Sequence, residues 1–149
     1  HCKAAAGARL PVVVHAVRAH ERAARVLRET GARGVLHACS ASAEQLRAYL
    51  DAGCHVSFAG SVTRERAPRV ARAARYVPAD RLLLESDGPD QAPRGAFASG
   101  RDGKRAEPAH LWVTARALAA LRGEEPEALV ARATELAERV FVLGSSSHA

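Results

Sequence analysis

Four short apolar runs, each followed by a segment of helical periodicity, constrain the fold of this chain more than any other feature. The runs cover residues 10–15, 34–39, 55–60 and 81–87. Their length and their β-branched, leucine-rich composition predict strands, and the fourth run is predicted to be buried on both faces. The segments between them, about 15 to 20 residues long, have room for one crossover helix each, so consecutive strands should be parallel. The sequence therefore predicts a βαβαβαβ unit of an α/β fold.

The segments between the runs carry the start and stop signals of helices. Ser42 and Gln45 have the spacing of a capping box, and Pro68 suits the first position of a helix. Gly31 and Gly53 follow the first two helical patterns, and glycine ends many helices because it tolerates a left-handed backbone.

Two more helices, predicted over residues 108–122 and 126–141, close the chain. A chain of 149 residues has the size of about one domain. We therefore predict a single domain over residues 1–143 and a disordered tail at 144–149. The inward face of the first closing helix is predicted to carry Leu111, Trp112, Ala115, Leu118 and Ala119.

Polar side chains end three of the four runs. His15 closes the first run, His37 closes the apolar part of the second, and Asp87 closes the fourth. Because the carboxyl ends of parallel strands meet at one edge of the sheet, these side chains should lie together. Imidazole nitrogen and carboxylate oxygen suit zinc, manganese or iron, and magnesium if more oxygen ligands join. The sequence therefore predicts a divalent-metal site.

Each of these residues also has a structural interpretation. An aspartate before Gly88 and Pro89 can serve a turn or a helix cap, and a lone histidine at a strand end is more often a hydrogen-bonded core residue. Two histidines in register with an aspartate favour the metal site. The histidines that lack this register, and are not predicted to be ligands, are His20, His55, His110 and His148.

Composition narrows the class of protein. A hydrophobic content of 48% excludes a disordered chain, and no apolar run approaches the roughly 20 residues of a membrane-spanning helix. The net charge of +6 is compatible with nucleic-acid binding, but arginines spread along Ala-rich helices also suit a solvated surface. Cys2, Cys39 and Cys54 have no CxxC spacing, which argues against a disulfide framework. We expect the cytoplasm or another reducing compartment, with the nucleus or an organelle not excluded.

The chain resembles the TatD-type metal-dependent deoxyribonucleases, relatives of the amidohydrolase barrels. HAVRAH and ESDGPD look most like the variant of plants and algae. The resemblance implies a (β/α)8 barrel that binds one or two divalent metals and hydrolyses phosphodiesters, often as a 3′-to-5′ exonuclease on DNA. The matching segments, in the family's order, are PVVVHAVRAH (11–20), GVLHACSAS (34–42), DAGCHVSFAG (51–60), VPADRLLLESDGPD (77–90), GKRAEP (103–108) and ATELAERVF (133–141).

Residue by residue, the resemblance implies that His15, His37 and Asp87 are three of the family's ligands for Mg, Mn or Zn. Asp87 would both bind metal and accept a proton from the attacking water. Charged residues of the loop after Asp87 would hold the DNA backbone, single-stranded or at 3′ ends, although solvated charges on a mobile segment are the alternative. These loop residues are Arg94, Lys104 and Arg105.

The chain departs from the family most clearly in its extent. Such a barrel needs eight strands and about 250 residues, whereas the four strands predicted here match the family's strands five to eight. The chain begins at His1 without a signal core, so we expect a fragment. The missing N-terminal half would contribute the family's His-x-His pair and a Glu. Ala106 and Leu136 replace two usual asparagines, and HACSA replaces HCFSG. The open edges of a half barrel should pair with a second half or aggregate.

Three functions stay open at this point. The first is metal-dependent deoxyribonuclease activity. The second is amidohydrolase-like cleavage of a small amide or ester, because one fold and one ligand set allow many substrates. The third is a catalytically silent, truncated module for nucleic-acid binding or assembly. Metal-dependent DNA cleavage that Asp87→Ala abolishes would separate the first from the third, and turnover of a simple ester without action on DNA would favour the second.

Overall fold

A computed structural model describes residues 1–65, 67–96 and 105–141. The described strands are β1 (Val12–Val14), β2 (Gly34–Leu36), β3 (His55–Phe58) and β4 (Leu82–Leu84). The described α-helices are α1 (Cys2–Ala8), α2 (His20–Thr30), α3 (Ala43–Asp51), α4 (Pro68–Tyr76), α5 (Leu111–Arg122) and α6 (Pro126–Phe141). Short 3-10 turns lie at Gly60–Thr63, Ala79–Arg81 and Pro108–His110. The predicted tail at 144–149 lies outside the described residues.

The four strands form one parallel sheet in the order β1-β2-β3-β4. Val13 of β1 pairs with Val35 of β2, and Ser57 of β3 pairs with Leu83 of β4. The prediction of a parallel α/β unit is therefore confirmed. A spatial order that follows the chain order, with a helix in each connection, is the arrangement of a barrel wall.

Helices cover both faces of the sheet, and α6 contributes to both, with Leu129 in the larger core and Leu136 in the smaller one. On one face, a buried core that includes Tyr49 and Phe58 joins the sheet to α2, α3, α4 and α5. On the other face, Val35 and Leu83 pack against Leu136 of α6. Strand residues alternate between the faces, so the helical shell occupies one face and α6 covers part of the other.

The predicted helix signals are confirmed at the ends of α2, α3 and α4. Gly31 ends α2 in the left-handed region, with φ of 65°. Oγ of Ser42 accepts a hydrogen bond from the backbone N–H of Gln45, and Oε1 of Gln45 accepts one from the backbone N–H of Ser42, which completes the capping box. Pro68 is the first residue of α4.

The predicted inward position of Trp112 is wrong. Trp112 is 45% exposed, whereas Ala115, Leu118 and Ala119 are at most 1% exposed. The buried stripe of α5 begins at Thr114, so the first turn of the helix lies beyond the edge of the core. Helical spacing identified the face correctly but could not show where along the helix the core ends.

Arg122 joins three helices at the amino end of the sheet, where α4 leads into β4. Its Nη1 donates to the carbonyl oxygens of Ala74 at 2.6 Å and Val77 at 2.7 Å. Its Nε donates to Glu124 at 2.7 Å, and Glu124 also pairs with Arg132 of α6. Burial raises the pKa of Glu124, but hydrogen bonds from the two arginines outweigh it, so this pKa lies below its usual value.

The outer strand β1 has an apolar and open edge. Leu10, Val13 and Val17 are 59 to 62% exposed. The other outer strand is better covered, since Leu82 and Leu83 are at most 3% exposed. The expected apolar edge is thus present at β1, and its pairing or aggregation stays a prediction. In the part of the chain that the structure describes, no helix is both long and apolar enough to cross a bilayer.

Candidate functional site

The carboxyl ends of β2 and β4 bring one histidine and two carboxylates together. His37 follows β2, and Glu85 and Asp87 follow β4. Nδ1 of His37 lies 2.6 Å from Oε2 of Glu85, and Nε2 of His37 lies 2.8 Å from Oδ1 of Asp87. The three side chains are 18 to 23% exposed, so the cluster is partly buried and accessible to a small ligand.

Glu85 fixes the imidazole of His37 from behind. Its Oε1 accepts a hydrogen bond from the backbone N–H of Ala38 at 2.5 Å, while its Oε2 faces the ring. Ala38 has φ of 47°, in the left-handed region that residues with a Cβ seldom adopt. A carboxylate behind the ring fixes its orientation and its tautomer, as is typical of metal-binding histidines.

Asp87 is held by the loop that follows β4. Nε2 of Gln91 donates to Oδ2 of Asp87 at 2.5 Å, which leaves Oδ1 facing His37. Asp87 and Gln91 have φ of 52° and 48°. Gly60 approaches this loop so closely that a Cβ there would lie 2.0 Å from the carbonyl oxygen of Gln91. Backbone strain held in place by close packing is found preferentially at functional sites.

His37 and Glu85 meet across β3, which lies between their two strands. In a flat sheet, strands two positions apart are separated by about 10 Å. The side chains of His37 and Glu85 can meet over β3 because Ser57 and Ala59, which lie between them, are small. The contact across β3 therefore indicates a sheet that curves toward this face, as the wall of a barrel does.

His15 lies beside the cluster but does not complete it. Its ring centroid is 5.7 Å from that of His37, and its side chain is exposed. Within residues 1–65, 67–96 and 105–141, no three His, Cys, Asp or Glu side chains are grouped so that they could hold a metal ion. The structure thus joins His37 to Asp87 with His15 adjacent, and the three-residue metal site stays a prediction.

The facing atoms of His37 and Asp87 have the chemistry of metal ligands. Imidazole nitrogen and carboxylate oxygen are donors that zinc and manganese accept. Each ring nitrogen of His37 faces a carboxylate oxygen, and a carboxylate oxygen can accept a hydrogen bond from a ring N–H or bind a metal ion. An ion held by Nε2 would replace the proton on that nitrogen, while Glu85 would keep the proton on the other. The donor set therefore fits a divalent ion, although it supplies only part of the ligands.

The predicted phosphate-binding residues are not gathered into one site by the described contacts. Nη1 of Arg94 lies 3.0 Å from Oε1 of Glu65, and the backbone N–H of Arg94 donates to Oγ1 of Thr63 at 2.7 Å. Arg105 is exposed, and Lys104 lies outside the described residues. The contacts of Arg94, Lys104 and Arg105 with a substrate stay predictions.

Two other histidines lie away from this cluster. His20 is buried, with Nδ1 3.3 Å from the hydroxyl of Tyr49. Burial, and then the charge of Arg69, lowers the pKa of His20. His55 begins β3 at the opposite end of the sheet, with Nε2 3.4 Å from Nη1 of Arg81.

Two buried cysteines, Cys39 near the cluster and Cys54 at the amino end of β3, are poor nucleophiles. Cys39, two residues after His37, is 1% exposed, and burial raises the pKa of its thiol to about 11. Burial also raises the pKa of Cys54 to about 11. Because the thiolate is the reactive form, both side chains are protonated and inert at neutral pH. The chemistry of this edge therefore rests on its imidazoles and carboxylates.

No pattern in the sequence predicted a role for Glu85. Its role depends on a contact with His37, 48 residues earlier in the chain, which no local pattern reveals. The available signal was its place two residues before Asp87, because residues two apart share a face of an extended chain.

Comparison with known proteins gives one consistent family. The family model described as TatD related DNase matches residues 1–142. The protein named uncharacterized metal-dependent hydrolase YcfH, from Escherichia coli K12, is 37% identical over 139 residues, a match that covers 91% of this chain and 51% of that protein. The 3′-5′ ssDNA/RNA exonuclease TatD of Erwinia billingiae is 36% identical over 138 residues, covering 90% and 52%. The chain thus spans about half the length of these relatives.

Solved structures show the same fold. The crystal structure of YjjV, a TatD homolog from Escherichia coli K12, has a TM-score of 0.83 and 25% identity, covering 95% of this chain and 53% of that one. A TatD family hydrolase from Entamoeba histolytica has a TM-score of 0.75 at 17% identity, covering 89% and 50%, and it supports the fold alone.

Proposed function

The chain belongs to the TatD-related DNase family, and we propose that it forms the carboxyl-terminal half of a (β/α)8 barrel that hydrolyses DNA phosphodiesters with a divalent metal. Relatives named metal-dependent hydrolases support the use of a metal. Four parallel strands in chain order, a curved sheet, and a match to about half of each relative support the half-barrel.

The observation that carries the proposal is the 2.8 Å contact between Nε2 of His37 and Oδ1 of Asp87, backed by Glu85. We propose that His15, His37 and Asp87 bind one or two divalent ions, with Mg, Mn and Zn as candidates. Such an ion supplies a polarised phosphoryl oxygen and a water of lowered pKa. Further ligands would come from the other half of the barrel, because the described residues offer no group of three.

Each residue of the cluster has a separate task in this proposal. Glu85 keeps the ring of His37 in one orientation, since both of its oxygens are bonded. Gln91 holds Oδ2 of Asp87, so Oδ1 is the oxygen that can exchange partners. Asp87 would accept the proton of the attacking water as general base.

A single-stranded nucleic acid, attacked from its 3′ end, is the proposed substrate. The support is the names of two relatives at 35 and 36% identity, both called 3′-5′ ssDNA/RNA exonuclease TatD. Arg94, Lys104 and Arg105 would bind the backbone phosphates. Arg94 can exchange Glu65 for a phosphate at little cost, because exposed ion pairs contribute about 0 to 1 kcal/mol.

One observation favours a second candidate, a non-catalytic module that binds nucleic acid or assembles with another chain. The described residues do not gather a three-ligand metal group, and β1 has an open apolar edge. In this case the chain would bind single-stranded DNA without cleaving it.

The test is cleavage of a 3′-labelled single-stranded oligonucleotide, in the presence of Mn²⁺, Mg²⁺ or Zn²⁺, by a protein that joins this chain to an amino-terminal half-barrel of the family, which supplies the further ligands. Asp87→Asn removes the charge that faces His37 and should lower the rate by about a hundredfold or more, as expected for a lost general base. Asp90→Asn, on the same loop but exposed, is the matched control and should retain the wild-type rate.

Each outcome identifies one function. Cleavage that needs metal and Asp87 supports the nuclease. DNA binding without cleavage, unchanged in Asp87→Asn, supports the non-catalytic module. Metal-dependent turnover of p-nitrophenyl acetate with no action on DNA would instead assign the amidohydrolase-like activity.

A further inference from the structure

A cavity of about 660 Å³ lies at the amino ends of the strands. Gly34 at the start of β2, His55 at the start of β3 and Arg81 just before β4 line one side, and Leu136 and Arg139 of α6 line the other. Cavities that bind small molecules have volumes of about 300 to 1,000 Å³. The cavity lies at the opposite end of the sheet from His37, Glu85 and Asp87, here called the metal-ligand cluster, so the proposed hydrolase mechanism does not use it.

The charged lining of the cavity is mainly basic. Asp51 pairs with Arg47, 3.9 Å away and outside the lining, and Arg139 is within 4.0 Å of Glu135. The other three lining arginines form no ion pair with a carboxylate of the described residues. Guanidinium groups without a carboxylate partner attract an anion. The charged lining residues are Arg28, Arg33, Arg81, Arg139, Asp51 and Asp80.

His55 holds one of these arginines against the cavity wall. A guanidinium can only donate hydrogen bonds, so Nε2 of His55 accepts from Nη1 of Arg81, 3.4 Å away, and the ring proton lies on Nδ1. Burial, and then the charge of Arg81, lowers the pKa of His55. The ring is therefore neutral at neutral pH and adds no charge beside Arg81, while the carboxylate of Asp80, which also acts on His55, offsets part of the basic charge of the lining.

The remaining lining gives the cavity an apolar side. We propose that it binds an organic phosphate with an apolar or aromatic body, of about the size of a nucleoside monophosphate. A phosphate monoester carries about −1.5 to −2 charges and three acceptor oxygens, which suits three guanidinium groups better than a carboxylate with one charge and two oxygens. The apolar residues that would contact the body are Leu27, Ala32, Ala52, Leu136 and Val140.

Titration calorimetry with deoxyadenosine monophosphate tests this site. The double variant Arg28→Gln/Arg33→Gln removes two lining charges and should raise the Kd at least about tenfold, as for the loss of charge-assisted hydrogen bonds. Arg22→Gln/Arg25→Gln is the matched control, because it loses the same charge from exposed positions of α2 outside the lining. Its Kd should stay within about twofold of wild type. Asp87→Asn should bind as wild type does, which distinguishes this cavity from the metal-ligand cluster.

Four results with the nucleotide and its nucleoside would overturn the proposal, and a fifth concerns inorganic phosphate. The first four are no saturable binding at millimolar ligand, equal weakening by the control double variant, loss of binding in Asp87→Asn, or binding of deoxyadenosine as tight as that of the nucleotide. Inorganic phosphate serves as the last probe. Weaker binding of phosphate supports a contribution from the apolar wall, and equal affinity would contradict a ligand of nucleotide size.

Discussion

The two ends of the parallel sheet differ in chemistry and in the contacts that hold them. At the carboxyl ends, His37, Glu85 and Asp87 form a partly buried cluster of an imidazole and two carboxylates. At the amino ends, arginines line a cavity, and Arg122 of α5 binds the carboxyl end of α4 and Glu124, which also pairs with Arg132 of α6. The same four strands thus have imidazole and carboxylate groups at one edge and mainly guanidinium groups at the other.

The backbone differs between the ends as well. Ala38, Asp87 and Gln91, all at the carboxyl ends, have positive φ without being glycine. The turns before β1, β2 and β3 also have positive φ, at Arg9 (57°), Gly31 (65°) and Gly53 (76°), so two of these three positions have no Cβ to strain. Residues with a Cβ in the left-handed region are thus more numerous at the carboxyl end, where they accompany a fixed arrangement of polar groups.

The largest expected effect on stability is that of Gly60→Ala, which displaces the loop at the carboxyl end of the sheet. The new Cβ would meet the backbone of Gln91 and Pro93 at 2.0 to 2.6 Å, so the loop that holds Asp87 must move. We expect a loss of about 3 to 4 kcal/mol in the free energy of unfolding, measured by urea denaturation. Gly7→Ala is the control of opposite sign, since nothing lies within 4 Å of Gly7 in α1 and alanine favours a helix by about 1 kcal/mol. Equal stability of both variants would contradict the close packing.

Arg122→Met tests the stability of the amino end. The side chain is 9% exposed, and its loss leaves the carbonyls of Ala74 and Val77 and the carboxylate of Glu124 without this donor. We expect about 2 to 3 kcal/mol of destabilisation, with the proposed metal affinity unchanged. Arg25→Met removes an exposed pair of 3.9 Å and should cost less than about 0.5 kcal/mol. A metal affinity that falls with Arg122→Met would show that the two ends are not independent.

Glu85→Gln tests whether Glu85 positions the ring of His37 for metal binding. The amide has one acceptor oxygen, so it cannot serve both Ala38 N–H and His37 Nδ1–H as the carboxylate does. We expect Mn²⁺ affinity to fall about 10- to 100-fold, measured by competition with a chelating dye. Glu65→Gln, which removes an exposed charge near Arg94, should leave the affinity unchanged. Wild-type affinity in Glu85→Gln would mean that Glu85 does not position the ring.

The smallest effect concerns pH and two histidines outside the cluster. The pKa values of His20 and His55 are lowered in the folded chain from 6.5, mainly by burial. The unfolded chain therefore binds protons more readily, so stability is full above about pH 6.5 and falls as the pH drops through the folded pKa values. The double variant His20→Gln/His55→Gln should flatten this dependence between pH 7.5 and 5.5 in urea denaturation. His1→Gln, at an exposed terminus, should not, and an unchanged slope in the double variant would contradict the burial argument.

Local sequence signals were sufficient for most of the fold. Short apolar runs, the capping box of Ser42 and Gln45, and Gly31 each reflect interactions between near neighbours in the chain, and the structure has them where predicted. The predicted burial of Trp112 was wrong because the place where the core ends along α5 depends on tertiary packing. Their places at the ends of parallel strands predicted that His37 and Asp87 lie close together. In the structure, Nε2 of His37 is 2.8 Å from Oδ1 of Asp87.

The rest of the candidate site depends on contacts that sequence spacing does not encode. Glu85 reaches His37 across a whole strand, which requires the curvature of the sheet. The basic cavity is assembled from the ends of several elements, with Arg28 from α2 and Arg139 from α6, and each of these arginines looks like a surface charge in the sequence.

The most direct test of a metal site at the carboxyl ends of the strands is Mn²⁺ binding, followed by electron paramagnetic resonance on the wild-type chain, Asp87→Asn and His37→Gln. If the carboxyl ends of β2 and β4 supply metal ligands, the wild type binds Mn²⁺ saturably with coupling to histidine nitrogen. Each variant then loses at least about tenfold in affinity. Equal Mn²⁺ binding by all three chains, or binding without nitrogen coupling, would contradict the assignment of this edge as a metal site.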